Sequence, residues 1–371
     1  MNGDGERPVS NPAALSDQQL AENEARILRL ADLVGGGHAI TLVGAGSSVS
    51  AGYPTWSQLL KQLGDVAEKC LAGFTLRSGA EPLESAQAIR DWIVRERGRE
   101  YFDAAFGRLF VRDPALTPFH DDLLRLPFRG YITTNYDTTL EEAAVSSGRV
   151  PSRPNAVPVW ASDPRLVDRA VRALTNGNCL EHIIHLHGLC GSTPGEALPG
   201  TILLAADDYE TAYGIVAPGR RREAAPGEPR RLRMVLSSLL LTRQIVFVGF
   251  SLDDPFITEV LLRSAELSWA WDHPVHFAIM PTWADTAALD QAKAERLRTD
   301  LAIESVFYQA RGADHSERDA LVRRIRHLVD GAGGGPVQKP PTPQPALPAH
   351  APLPWVAAAN RAHQIKHEEG K

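Results

Sequence analysis

The amino-acid sequence predicts a doubly wound, Rossmann-like α/β fold, in which helices cover both faces of a parallel sheet. Short apolar runs recur along the chain, and most are apolar at successive positions, as in strands buried on both faces. Helical patterns separate many of these runs, which is the order of a parallel sheet. The predicted strands are residues 38–43, 130–134, 182–186, 201–205, 244–250, 275–280 and 303–308.

The chain is expected to begin with a disordered segment, residues 1–15, followed by a helix over residues 16–34. Ser16 can cap this helix, and apolar residues recur along it at helical spacing. Three glycines, residues 35–37, end the helix just before the first predicted strand.

Residues 56–128 carry helical patterns without a convincing strand, so a helical insertion is predicted between the first two strands. Further helices are expected over residues 230–243, 284–301 and 316–330, the last capped by Ser316. Residues 16–330 are thus predicted to form one domain. The Pro/Gly-rich tail, residues 331–371, is expected to be an extended linker with a partner-binding segment near Trp355.

The composition indicates a soluble globular protein without a nucleic-acid partner. The chain has 371 residues, 43% of them hydrophobic and 23% charged, with a formal net charge of -6. This charge argues against nucleic-acid binding over the whole chain, and the most basic segment, residues 220–233, has the composition of an exposed loop.

Cysteine content and apolar runs indicate a cytoplasmic protein. Three cysteines and no CxxC pattern favour a reducing compartment. The first twenty residues lack the apolar core of a signal peptide. No apolar run approaches the roughly 18 residues needed to span a bilayer, so no membrane partner is expected.

Small or polar residues follow four of the apolar runs, at residues 44–54, 133–137, 185–188 and 249–255. Ligands of parallel α/β sheets bind beyond the carboxyl ends of the strands, so the four segments are predicted to converge. Each segment alone also has a structural interpretation: a tight turn for the first, helix caps for the second and fourth, and backbone-bonded histidines for the third. The residues concerned are Gly44 and Gly46, Asn135 and Asp137, His185 and His187, and Ser251 and Asp253.

Taken together and in this order, the four segments resemble the motifs of the sirtuin family over roughly residues 35–310. The first segment, GAGSS followed by GYP, matches the family's NAD loop. It differs from the usual dinucleotide fingerprint, because Val49 stands where the fingerprint needs a third glycine, and the glycine after Gly46 is Gly52. TTNYD has Thr134 in place of the family's Gln, and GFS has Phe250 in place of Thr. The His-Gly pair is His187-Gly188.

The resemblance departs from sirtuin deacylases in two ways. Only Cys190 follows the His-Gly pair, so the family's four-cysteine zinc module cannot form and no metal is expected. The alternative is a different site built from Cys179, His182, His185 and Cys190. Thr55-Trp56 replaces the Phe-Arg that follows Pro54 in the family, and residues 201–214 resemble a divergent branch that includes many NAD-consuming effectors of bacterial antiphage defence.

The resemblance implies an NAD+ hydrolase that releases nicotinamide and ADP-ribose and depletes NAD when activated. Asn135 is expected to orient water, and His187 to act as general base with a pKa near its unperturbed value of about 6.5. The implied NAD-binding residues are Gly44, Ala45, Gly46, Ser47, Thr134, Asn135, Asp137, Gly249, Phe250 and Ser251.

Regulation is expected through homo-oligomerisation or a separate activator, an ATPase or an Argonaute-type protein. Two other functions remain open. One is NAD-dependent deacylation or ADP-ribosyl transfer, and the other is a non-catalytic module that binds NAD or ADP-ribose.

Overall fold

The computed structural model describes residues 15–70, 73–75, 81–110, 113–159, 162–176, 180–190, 202–215, 231–267, 275–312 and 314–332. The predicted disordered N-terminus, basic segment and C-terminal tail lie almost entirely outside these residues.

The predicted doubly wound α/β fold is confirmed: seven strands form one all-parallel sheet in the order β3-β4-β2-β1-β5-β6-β7. The strands are β1 (Ile40–Val43), β2 (Tyr131–Thr133), β3 (Asn155–Pro158), β4 (His182–His185), β5 (Ile245–Val248), β6 (His276–Thr282) and β7 (Ile303–Gln309).

Twelve α-helices accompany the sheet within the described residues. They are α1 (Asp17–Gly35), α2 (Trp56–Cys70), α3 (Pro82–Arg97), α4 (Arg99–Arg108), α5 (Pro118–Arg125), α6 (Thr139–Ser146), α7 (Pro164–Asn176), α8 (Ala206–Tyr213), α9 (Arg231–Thr242), α10 (Pro255–Leu267), α11 (Ala287–Leu301) and α12 (Ser316–Ala332). None of them has the length and apolar character needed to cross a lipid bilayer.

Both faces of the sheet are covered, which explains the continuous apolar runs of the strands. On β1, Ile40 and Leu42 belong to one hydrophobic cluster and Val43 to the other. Helices α7 to α11 supply the first cluster, and α1, α5, α6 and α12 supply the second. Alternating side chains of one strand therefore enter different cores, as the pleat requires.

The predicted helical insertion is also found, since α2 to α5 all lie between β1 and β2. A third hydrophobic cluster joins α2, α3 and α4, with Phe106 and Phe110 packed edge-on against Tyr136 in the segment after β2, whereas α5 belongs to the second cluster. The insertion thus contacts one of the four segments that the sequence singled out.

Two strand predictions need correction. Residues 202–205 form no strand; Leu203 is buried in the first cluster, and Ile202 and Leu204 are buried in the third. Strand β3 was not predicted, because its sequence NAVP is short, begins with an exposed Asn155 and ends in proline, which suits only a sheet edge.

The helix ends agree closely with prediction. Ser16 caps α1 in a capping box with Gln19, and Gly36 is the C-cap. Ser316 is the first residue of α12 and not its cap, because its N–H donates to the Asp314 side chain.

Candidate functional site

The four singled-out segments follow β1, β2, β4 and β5, which are consecutive neighbours in the order β4-β2-β1-β5. From β1 the chain winds outward through β2, and after β4 it returns to β5 on the other side of β1. A strand order that reverses in this way opens a crevice at the carboxyl ends of the strands, where ligands of such sheets bind.

The first and fourth segments pack backbone against backbone. A Cβ atom on Gly44 would lie 2.6 Å from the Gly249 carbonyl oxygen and 2.7 Å from Phe250 Cα, so only glycine fits. Gly249 has a φ of +64°, and a Cβ there would lie 2.5 Å from the Ser47 nitrogen. The two segments therefore form one close-packed unit.

In the glycine loop, residues 44–48, the backbone N–H groups of Gly44, Gly46 and Ser47 already donate hydrogen bonds within the protein. Those of Gly44 and Gly46 donate to the carbonyls of Val248 and Gly249, each at 2.9 Å, and that of Ser47 donates to the Gly44 carbonyl at 3.0 Å. Ala45 is exposed. To cradle a pyrophosphate with these N–H groups, as the sequence suggests, the loop must exchange internal hydrogen bonds for ligand contacts.

Asn135 is buried, and its side-chain amide is anchored to the glycine loop. Its Nδ2 donates to the Gly44 carbonyl at 3.1 Å and to Ser48 Oγ at 2.9 Å. Because a carbonyl only accepts, these contacts fix which end of the amide is nitrogen. The Oδ1 atom is buried and has no hydrogen-bond partner among the described residues. It is an acceptor available to a ligand.

The neighbours of Asn135 in the second segment serve the backbone. The Thr134 N–H donates to the Val43 carbonyl at 3.2 Å. Asp137 Oδ1 accepts the Thr139 N–H at 3.0 Å at the start of α6, so the helix-cap interpretation describes this side chain. Burial raises the pKa of Asp137, opposed by hydrogen bonds from Thr139 and Ser48.

His187 lies in a chain of buried hydroxyl groups that fixes its tautomer. Tyr136 Oη donates to the Leu203 carbonyl at 2.6 Å, so it accepts from Tyr209. Tyr209 in turn accepts from His187 Nδ1 at 3.2 Å, which leaves Nε2 as the basic nitrogen. Tyr213 Oη donates to Nε2 at 3.0 Å.

Burial lowers the pKa of His187 to about 3, well below the expected unperturbed value. The histidine is therefore a neutral base at physiological pH. Asp254 Oδ2 lies 3.9 Å from His187 Nε2, and burial raises the Asp254 pKa to about 6. Asp254 also caps α10, because its Oδ1 accepts the N–H groups of Phe256 and Ile257 at 2.9 and 3.0 Å.

Ser251, another predicted ligand of NAD, is exposed at the rim of the fourth segment. Its carbonyl accepts from Lys293 Nζ at 2.8 Å, and its hydroxyl accepts the Asp253 N–H at 3.4 Å. The cap of α10 is thus Asp254, and neither Ser251 nor Asp253 has that role.

The sequence did not indicate two residues that brace the glycine loop from outside. Arg318 of α12 is 3% exposed; its Nη1 donates to the Gly46 carbonyl at 2.6 Å. His120 of α5 donates from Nε2 to the Ser47 carbonyl at 3.1 Å and accepts the Thr117 N–H at Nδ1. A buried polar residue on an amphipathic helix has no distinguishing signal in a single sequence.

Within the described part of the chain, no group of three or more His, Cys, Asp or Glu side chains is placed to hold a metal ion. The alternative site needed Cys179, which lies outside those residues, and His185, which instead contacts Glu141 Oε1 at 2.7 Å.

A family model described as the SIR2-like domain matches residues 129–305 of the chain. NAD(+) hydrolase ThsA of Bacillus cereus (strain MSX-D12) is 28% identical over 226 residues, which are 61% of this chain and 40% of that protein. ThsA of Enterococcus faecium is 24% identical over 261 residues, 70% of this chain and 46% of that protein. Defense-associated sirtuin 2 of Bacillus subtilis is 24% identical over 229 residues, 61% of this chain and 19% of that protein.

The chain spans about 40% of the length of the Bacillus cereus hydrolase that it matches. Asn135, His187 and Gly249 fall inside the range matched to the domain family, whereas the glycine loop, residues 44–48, precedes it.

Proposed function

We propose, on the premise that this chain carries a SIR2-like domain over residues 129–305, that it hydrolyses NAD+ to nicotinamide and ADP-ribose. The observation that carries the proposal is the buried, unpartnered Oδ1 of Asn135 beside the glycine loop. A buried acceptor without a partner costs stability, so its retention points to a ligand that donates to it. Two of the relatives are named as NAD(+) hydrolases, which supports NAD as that ligand.

Breaking the bond between nicotinamide and C1′ of the ribose develops positive charge on the sugar. In the proposed mechanism, Asn135 Oδ1 accepts a hydrogen bond from a ribose hydroxyl or the attacking water. The water oxygen bonds to C1′, its proton passes to Nε2 of His187, and nicotinamide leaves with the electron pair of the broken bond. His187 is neutral and can accept the proton once Tyr213 Oη has left Nε2. A pKa of about 3 makes a weak base, so the mechanism requires that NAD binding raises this pKa.

The remaining predicted ligands keep their proposed places in NAD binding. Residues Gly44 to Ser47 of the glycine loop would hold the pyrophosphate after rearrangement, Asp137 would secure the nicotinamide end, and Gly249 and Ser251 would contact the adenosine ribose. Thr134 and Phe250 remain proposed NAD-binding residues without an assigned group of the ligand. No step of this chemistry requires zinc.

The proposal includes a role in antiphage defence in the cytoplasm, supported by the name of the Bacillus subtilis relative. An enzyme that depletes NAD must stay inactive until triggered. The two tyrosine hydroxyls on the ring nitrogens of His187 agree with a resting state. Activation by self-association or by a separate ATPase or Argonaute-type protein predicts a rate that depends on protein concentration or on that partner.

The test is chromatography of NAD incubated with the native protein, Asn135→Ala and a matched control, Asn155→Ala, whose side chain is exposed on β3. The assay is run over a range of protein concentrations and with candidate activators. Under activating conditions, native protein and control are expected to release nicotinamide and ADP-ribose in equal amounts, and Asn135→Ala to release neither. Nicotinamide release that requires an acylated peptide would instead indicate a deacylase or transferase. Tight NAD binding without release by any of the three would indicate a binding module.

A further inference from the structure

His185 and Glu141 form a fully buried pair that the proposed chemistry does not use. His185 ends β4 and Glu141 lies on α6; both are 0% exposed. His185 Nε2 lies 2.7 Å from Glu141 Oε1, and the other glutamate oxygen, Oε2, has no partner among the described residues. Among the described residues, His185 is therefore the hydrogen-bond partner of this carboxylate.

The second ring nitrogen of His185 points at Asn135. His185 Nδ1 lies 3.0 Å from the Asn135 backbone carbonyl oxygen, and it is the donor because a carbonyl only accepts. Burial alone would lower the pKa of His185, but the charge of Glu141 and its hydrogen bond raise it. The hydrogen bond to Asn135 therefore comes from an imidazole whose ring is oriented by a buried carboxylate.

Every polar group of Asn135 except Oδ1 is thereby held. The backbone N–H donates to Thr133 Oγ1 at 2.9 Å, and Thr133 itself donates to the Val43 carbonyl at 2.9 Å. The Nδ2 group donates to the Gly44 carbonyl. Among the described residues, the Asn135 carbonyl oxygen is held by His185, and this oxygen lies in the plane of the peptide that follows Asn135.

We propose that the buried His185–Glu141 pair is the positioning device for Asn135, with His185 fixing the Asn135 peptide and Glu141 fixing the His185 ring. This inference rests on the proposed function, because Oδ1 of Asn135 is the atom whose placement it explains. Without the pair, the peptide gains freedom to rotate and Oδ1 moves away from the ribose.

The test replaces the whole pair by apolar residues of similar volume, His185→Phe together with Glu141→Leu. Replacing both partners avoids a buried unpaired charge, so the variant is expected to fold. We expect kcat for NAD cleavage to fall about tenfold or more, because a small misplacement of a catalytic group has effects of this size. Glu141→Gln is the conservative rescue, since the imidazole can still donate from Nδ1 to Asn135 and accept at Nε2 from the glutamine amide; we expect it to keep most of the activity.

The control is His276→Phe, which removes another buried histidine. His276 accepts the Ile245 N–H at the amino ends of β5 and β6, the edge of the sheet opposite the candidate site. It is expected to leave kcat unchanged at temperatures where it is folded. Amide hydrogen exchange over residues 131–138 is a readout independent of turnover, and the double variant alone is expected to speed it.

A double variant with native kcat and native exchange over residues 131–138 would overturn the positioning role. An equal fall in kcat in the double variant and in Glu141→Gln would also overturn it, because Glu141→Gln keeps the His185 donor to the Asn135 carbonyl. If the native protein released no nicotinamide at any protein concentration and with any candidate activator, the proposed function would fail, and hydrogen exchange would still decide the role of the pair.

Discussion

The burial of His187 predicts a specific loss of stability in acid, which tests whether this residue is a neutral base. The native pKa is about 3, whereas an unfolded chain exposes histidine at about 6.5. Between these values the unfolded state binds the proton and the native state does not, so stability falls as the pH falls. From pH 7.5 to pH 5 the loss is about 2 kcal/mol, at about 1.4 kcal/mol per pH unit below 6.5.

The measurement is urea unfolding of the native protein and His187→Gln at both pH values. Glutamine can still hydrogen-bond Tyr209 and Tyr213 but does not titrate. On acidification, we expect the free energy of unfolding of the native protein to fall by about 2 kcal/mol more than that of the variant. Asp254 is present in both proteins, so its own titration largely cancels. His38→Gln, at an exposed position, is the control and is expected to follow the native protein.

The reasoning would be refuted if the difference in free energy of unfolding between the native protein and His187→Gln were the same at pH 7.5 and at pH 5. It would mean that His187 accepts a proton in the folded state, paired with the carboxylate of Asp254 3.9 Å away. A cationic His187 cannot act as the proposed base.

Two further predictions concern packing around the site. Gly44→Ala places a Cβ 2.6 Å from the Gly249 carbonyl and should destabilise the protein by about 1–3 kcal/mol in urea unfolding, whereas Gly331→Ala, in open space on α12, should cause no loss. Equal stability of the two variants would contradict the close packing. Arg90 of α3 is buried, and its Nη1 lies 2.6 and 2.7 Å from the carboxylates of Asp207 and Asp208 on α8. Arg90→Met leaves these carboxylates without their cation and should lower the free energy of unfolding by about 3 kcal/mol. A cost below about 1 kcal/mol would show that solvent screens this cluster.

The sheet was predictable because burial on both faces leaves a direct mark on the sequence. Every predicted strand with a continuous apolar run is present except the one over residues 201–205, whose described residues, 202–205, are buried without pairing in the sheet. Strand β3 left no such mark, since a short edge strand needs few apolar residues. Hydrophobicity therefore predicts burial more reliably than it predicts strand pairing.

The sequence predicted which segments form the candidate site, but not the contacts between side chains within it. Motifs at strand ends converge by topology, so the nearness of the four segments followed from the fold class. The pKa of His187 and the loop contact of Arg318 did not follow, because both depend on which side chains distant in sequence enclose them. The partner of His185 was equally hidden, since Glu141 lies 44 residues earlier in the chain.

The central claim is that Asn135 directs water to C1′ of NAD, and the most direct test is cleavage in water labelled with oxygen-18. The account predicts one labelled oxygen in each ADP-ribose, with one nicotinamide released per label, for the native protein and Asn155→Ala but not for Asn135→Ala. Unlabelled products, or equal label incorporation by Asn135→Ala, would contradict it.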